Sequence, residues 1–178
     1  MDTHIQTAGD VVMPGNTPAE RIAGLWRALR FYSWWYPSRW LGWSFWPKYG
    51  EFGRLAQHIR YAERGARRLA RGVFHAMLRF GPKLEFRQAV LFRLVDVGAE
   101  LFAMAATCTR AYAVVRRDPA AGPHAIELAD LFCWQARRRI TEKFQVLWRN
   151  EDRRTYRVAQ EVLQGKHRWL EGGIVELE

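Results

Sequence analysis

The feature that most constrains this chain is the run behind Gly81-Pro82, KLEFRQAVLFRLVDVGAELFAMAATCTRAYAVVRR, ending at Arg117. Apolar residues recur at Ala89, Leu91, Leu94, Val95, Val97, Leu101, Phe102, Met104, Ala105, Cys108, Ala111, Tyr112 and Val115. They are too many for the single buried stripe of a surface helix, so the pattern predicts a helix over 82–117 that is covered on most sides. Its polar residues, Arg93, Asp96, Glu100, Thr107 and Arg110, fall on one narrow line that can stay near water. At about 1.5 Å per residue such a rod spans roughly 50 Å. Neighbouring helices must then wrap it along most of that length.

The rest of the chain supplies them. Thr17 as N-cap, Pro18 at the first helical position and Glu20 three residues on form a capping box, predicting a helix over 17–36 that ends before Pro37. Its apolar face is Ile22, Leu25, Trp26, Leu29, Tyr32 and Trp35. A second helix is predicted from about Glu51 to Arg79, with Leu55, Ile59, Ala62, Ala66, Leu69, Val73, Ala76, Met77 and Phe80 on the core face. After DPAAGP, a fourth helix over 124–148 carries Ile126, Ala129, Cys133, Ala136, Ile140, Phe144 and Leu147. A fifth begins near Glu151 and stops near Gly165, and Trp169, Leu170 and Ile174 are expected to anchor the C-terminus. Short connections between long helices predict an all-α, up-down bundle of four to five helices around the long central one. No strand pattern or internal repeat is visible. The domain reading is an irregular connector over 1–51, holding the capped helix and a Trp-rich segment, followed by a helical bundle over 52–178.

Two features bear on partners. Residues 31–49, FYSWWYPSRWLGWSFWPKY, concentrate Trp34, Trp35, Trp40, Trp43 and Trp46 beside Arg39 and Lys48. Such rings and cations suit an anionic membrane surface, where a ring sits half wet beside an acidic headgroup. They equally suit packing on a neighbouring helix or subunit. No single-strand binding module surrounds them, which disfavours nucleic acid. The second feature is a basic helix face, Arg60, Arg64, Arg67, Arg68 and Arg71, with Glu63 the one acid nearby. It reads as a solvated face or as a grip on phosphate or an acidic surface. The formal charge of +10 favours anionic partners without naming one.

Chemistry is sparse. The five histidines are scattered, and none has the spacing of a metal site. Cys108 and Cys133 lie inside apolar runs and read as small buried hydrophobes, suiting a reducing compartment. Asp96 and Glu100 stand one turn apart with Arg93 within a turn of Asp96, which reads as ion pairing and not as a carboxylate dyad. The glycine pairs match no nucleotide-binding pattern. No apolar run reaches the roughly 20 residues of a membrane span, and the N-terminus lacks the order of a signal peptide.

The residues do carry a resemblance. The run from Phe52 to Leu170, above all GRLAQHIRYAERGARRLARGVFHAMLRFGPKLEFRQAVLFRLVDVGAELFAMAATCTRA and the later ADLFCWQARRRI, resembles the extra C-terminal helical domain of very-long-chain-type acyl-CoA dehydrogenases from bacteria. AGDVVMPG and FYSWWYPSRW resemble that family's connector. The resemblance implies a parent enzyme of fatty acid β-oxidation that uses FAD and a glutamate base, whose extra domain completes a bundle, braces a homodimer and attaches to a membrane. The family's Tyr-Glu-Gly or Phe-Glu-Gly phrase is absent before Phe52, and the flavin domain is missing, so no catalytic or FAD-binding residue is carried over. The expectation is a non-catalytic accessory domain, inactive alone, that partners the catalytic portion of an acyl-CoA dehydrogenase or a second copy. It would be cytoplasmic, or peripheral on the inner face of the membrane. The competing reading is a stand-alone basic helical protein that binds an acidic partner or nucleic acid. Either way, an isolated bundle of this kind is expected to expose apolar surface.

Overall fold

A computed structural model describes residues 17–40, 49–170 and 172, with the backbone alone for 18–21. Within them the chain is all-helical: α1 (Pro18–Ser38), α2 (Ala56–Phe80), α3 (Gln88–Arg117), α4 (Gly122–Val146) and α5 (Asp152–Leu163). Short 3-10 turns at Gly50–Leu55 and Gly81–Phe86 precede α2 and α3, and a third covers Arg168–Leu170. No strand occurs among the described residues.

The core is a three-helix unit with α3 between α2 and α4. On α3 the buried residues are Val90, Leu94, Val97, Leu101, Met104, Cys108 and Ala111, a strict alternation of four and three. Such spacing keeps one seam facing its neighbours along the whole helix. Against it lie Ala62, Leu69, Val73 and Ala76 of α2, and Ala129, Cys133, Ala136, Ile140 and Phe144 of α4. The helices run up, down and up. Asp96 pairs with Lys143 and Glu100 with Arg139, so the numbering descends along α4 as it climbs α3. Gly65 marks the closest approach of α2 to α3: a Cβ there would sit 2.5 Å from Leu101 Cδ2, so only a glycine fits without moving that leucine. Gly81, at φ 51°, ends α2 in a conformation that side-chain-bearing residues avoid.

Several expectations are corrected. The central helix starts at Gln88 and not at Pro82, because Gly81–Phe86 winds as a 3-10 turn and Arg87 (φ −99°, ψ 55°) breaks the helical run. It is not covered on most sides. Phe92, Val95 and Phe102 are exposed, as are Ala99 between them and Ala106 one turn beyond, forming a second apolar seam on the flank opposite the core. The uncovered flank is the exposed apolar surface that an isolated bundle was expected to show.

α1 continues through Pro37 to Ser38. A proline in the last turn removes one donor only, and the Ser38 hydroxyl donates to the Trp35 carbonyl at 2.6 Å. Ile22, Leu25, Trp26 and Leu29 are exposed, so the expected apolar face of α1 is covered at Tyr32 and Trp35 alone. Helix α2 begins at Ala56, after a kink at Gly53, and Ala66 is exposed where Gly65 is buried. Trp169 and Leu170 are exposed and anchor nothing, and Ile174 lies outside the described residues.

Candidate functional site

The ring-rich segment and the basic stripe, separate in sequence, meet in space. Tyr32, Trp35 and Tyr36 of α1 close around Phe74 of α2, with ring centroids 4.7, 5.6 and 5.5 Å from it. The Tyr36 hydroxyl lies 2.9 Å from His75 Nε2. Arg71 then places its guanidinium 4.1 Å from the Trp40 ring centroid and donates to the Arg39 carbonyl. Burial first, then the charges of Arg68 and Arg67, lowers the pKa of Arg71. Arg39 lies 5.5 Å over Trp35. The rim of α1 that this docking leaves outward is a groove of about 520 Å³ lined by Arg27, Arg30, Phe31, Trp34, Trp35, Ser38 and Arg39. Trp34 and Trp40 are exposed. Trp43, Trp46 and Lys48 lie outside the described residues.

Three of the five arginines of the α2 stripe are engaged within the chain. Arg67 pairs with Glu63 at 2.6 Å, Arg68 stacks on Phe144 at 4.1 Å and Arg71 holds α1. A guanidinium over a buried ring covers apolar surface while keeping its charge near water. Among the described residues, Arg60 and Arg64 form no ion pair. Arg67, Arg68 and Arg71 thus serve the packing of the fold, whatever else the stripe meets.

The polar line of α3 forms ion pairs with other helices and not along itself. Arg93 grips Asp152 of α5 with two bonds of 2.6 and 2.7 Å, Asp96 takes Lys143, and Glu100 takes Arg139 with bonds of 2.5 and 2.9 Å. The Arg93 hydrogen bonds hold the Asp152 carboxyl below the usual carboxylate range, against its partial burial.

One constellation was invisible in the sequence reading. His58 is completely buried, and its Nε2 lies 2.9 Å from Asp130 Oδ1, while Arg54 donates to Asp130 Oδ2 at 2.5 Å. Burial pushes the Asp130 carboxyl up, but the His58 and Arg54 hydrogen bonds outweigh it and hold the carboxyl low. His58 Nδ1 has no partner. The signal that could have found this trio is Asp130 itself, a carboxylate beside the core seam of α4 that must be partnered to be buried there. A sequence separation of 72 hides the partner, His58. The trio ties α4 to the 3-10 turn before α2 and to the first turn of α2 itself.

The two cysteines also meet, with Sγ atoms 3.6 Å apart, and both are fully buried. The Cys108 hydrogen bond, then burial, pushes the Cys133 thiol far above its ordinary range. A thiol reagent is therefore expected to label neither cysteine in the folded chain and both in denaturant. Labelling of the native chain at the denatured rate would contradict the packing of α3 on α4. Among the described residues no three His, Cys, Asp or Glu side chains converge as metal ligands, and no helix is long and apolar enough to cross a membrane.

Comparison with known proteins adds a relationship. The family described as ACAD9/ACADV, C-terminal domain, matches residues 53–167. Proteins named probable acyl-CoA dehydrogenase FadE10, from Mycobacterium bovis and from Mycobacterium tuberculosis, are 43% identical to this chain over 177 residues. The match covers 99% of this chain and 27% of the length of each relative. No solved structure matches.

Proposed function

Because the chain belongs to the ACAD9/ACADV C-terminal domain family, we propose that it acts as the non-catalytic helical domain of an acyl-CoA dehydrogenase, docking on that enzyme's catalytic portion. The observation that carries this reading is the second apolar seam of α3, Phe92, Val95, Ala99, Phe102 and Ala106, which faces away from the core. A helix that is apolar on two opposite flanks needs two covers, and the described residues supply one. Because the relatives are several times longer than the match, a catalytic portion is the natural second cover. The chemistry of that enzyme, dehydrogenation of a fatty acyl thioester with FAD, belongs to the catalytic portion. The described residues do not fit a flavin, whose ring needs an enclosed slot with partners for its nitrogens and oxygens. Both clefts here are open and edged by guanidiniums. On this reading the bundle starts at 52, and the connector before it brings Trp34, Trp40 and Arg39 to an anionic membrane surface.

Analytical ultracentrifugation of the chain mixed with the flavin-containing portion of a homologous acyl-CoA dehydrogenase tests the docking. A complex that disappears in the double variant Phe92→Ser, Phe102→Ser is expected, and failure of the wild-type chain to associate would sink the reading. Self-association abolished by the same variant would instead assign the seam to a second copy. The membrane part rests on co-sedimentation with phosphatidylglycerol vesicles. Retention should weaken in Trp34→Ala, Trp40→Ala, and unchanged retention removes the connector from that role.

A further inference from the structure

A cleft of about 710 Å³ opens where the end of α2, the 3-10 turn before α3, the end of α4 and the first turns of α5 meet. Five guanidiniums line it: Arg79, Arg87, Arg153, Arg154 and Arg157. None of the five forms an ion pair with a described carboxylate. Two acids share the lining, but both oxygens of Asp152 are held by Arg93, which leaves Glu151 alone against five cations. The convergence is not an accident of one helix face, because α2, the turn and α5 each contribute.

Rings hold two of these cations in place. Arg79 lies 5.7 Å from both the Phe80 and the Trp148 centroids, and Arg87 lies 5.5 Å from Phe80. Stacking fixes each guanidinium plane while leaving its N–H edge free to donate. Like charges gathered in one concavity raise one another's energy, and a multivalent anion among them removes that cost. Phosphate matches the guanidinium fork with paired hydrogen bonds, and Trp148 and Tyr156, both exposed in the cleft, offer flat apolar walls. The volume falls in the usual range for a small-molecule site, roughly 300–1,000 Å³.

We propose that this cleft binds a phosphate-bearing ligand with an apolar or aromatic portion, its phosphate oxygens meeting Arg87, Arg153 and Arg157 and its apolar portion lying against Trp148 and Tyr156. The site uses no residue of the connector or of the outward seam of α3, so it stands apart from the docking and membrane reading.

Titration calorimetry of the full chain with ADP and with pyrophosphate, together with co-sedimentation on phosphatidylglycerol and phosphatidylcholine vesicles, separates a soluble phosphate from a lipid headgroup. The expected result is binding of at least one phosphate-bearing probe that weakens about tenfold or more in Arg153→Ala, Arg157→Ala. That binding should fall with added salt. The control pair Arg60→Ala, Arg64→Ala, on the α2 stripe, should leave it unchanged. All these arginines are on the surface of the fold, and circular dichroism of each variant shows that it has folded. ADP binding without vesicle retention identifies a soluble ligand, and retention lost with Arg153 and Arg157 identifies a headgroup. Equal loss in the two double variants, or no binding of a soluble probe together with vesicle retention indifferent to Arg153 and Arg157, overturns the proposal, whereas retention lost only in Trp34→Ala, Trp40→Ala belongs to the connector.

Discussion

Replacing Asp130 by Ala is expected to lower the unfolding free energy by about 1–3 kcal/mol, the cost of leaving a buried polar group without its hydrogen-bond partner. The change strands His58, already without a partner at Nδ1, in a site closed to water. It also releases Arg54, the link that ties the 3-10 turn before α2 to α4. Asn at this position should cost less, since its carbonyl oxygen still accepts one hydrogen bond. Urea unfolding measures both, and an Asp130→Ala midpoint equal to that of the wild type would show that the trio holds nothing.

The same residue predicts the response to acid. The folded carboxyl of Asp130 titrates below its unfolded value, and so does that of Asp152. Each therefore adds stability that is complete above the unfolded carboxylate pKa, about 3.9, and is lost as pH falls through the folded one. The wild-type chain should lose stability steeply below about pH 4, and Asp130→Asn should flatten that loss. A variant whose pH profile parallels the wild type would count against the assignment.

The second large effect lies in the core. Met104→Ala and Ile140→Ala should each cost about 2–5 kcal/mol, because both side chains are fully buried where α3 meets α4 and neither site can refill from solvent. Phe102→Ala, on the outer seam of the same helix, should stay within about 0.5 kcal/mol when the chain is alone. Phe102 is 76% exposed, so its truncation leaves no cavity. Thermal unfolding of the three variants gives the contrast, and similar losses at Phe102 and Met104 would mean that the two flanks of α3 have been exchanged.

Much of the architecture was legible. Capping and punctuation placed the helices well: Thr17-Pro18 marks the start of α1, Gly81-Pro82 the end of α2 and DPAAGP the turn into α4. The errors fall where one local signal competed with another. Pro37 reads as a stop, but a last turn tolerates it. Pro82 reads as a helix start, but the residues after it wind as a 3-10 turn until Gln88. The apolar richness of α3 reads as burial on most sides, because a periodicity count registers apolar residues and cannot tell which flank a partner covers. Of the candidate site residues, Arg71 and Trp40 were singled out separately, for opposite ends of the function, and the structure puts one on the other.

Helix content, helix order and the core seams of α2, α3 and α4 follow from the chain's own periodicity, since the spacing of apolar side chains along a helix is a local property. The ion pairs Arg93–Asp152 and Glu100–Arg139, the buried His58–Asp130–Arg54 trio, the contact of Cys108 with Cys133 and the five-arginine cleft were decided only by tertiary structure. Each joins residues on different elements, and what a charge or thiol does there depends on its distance from a partner and on its shielding from water, neither of which exists until the helices pack.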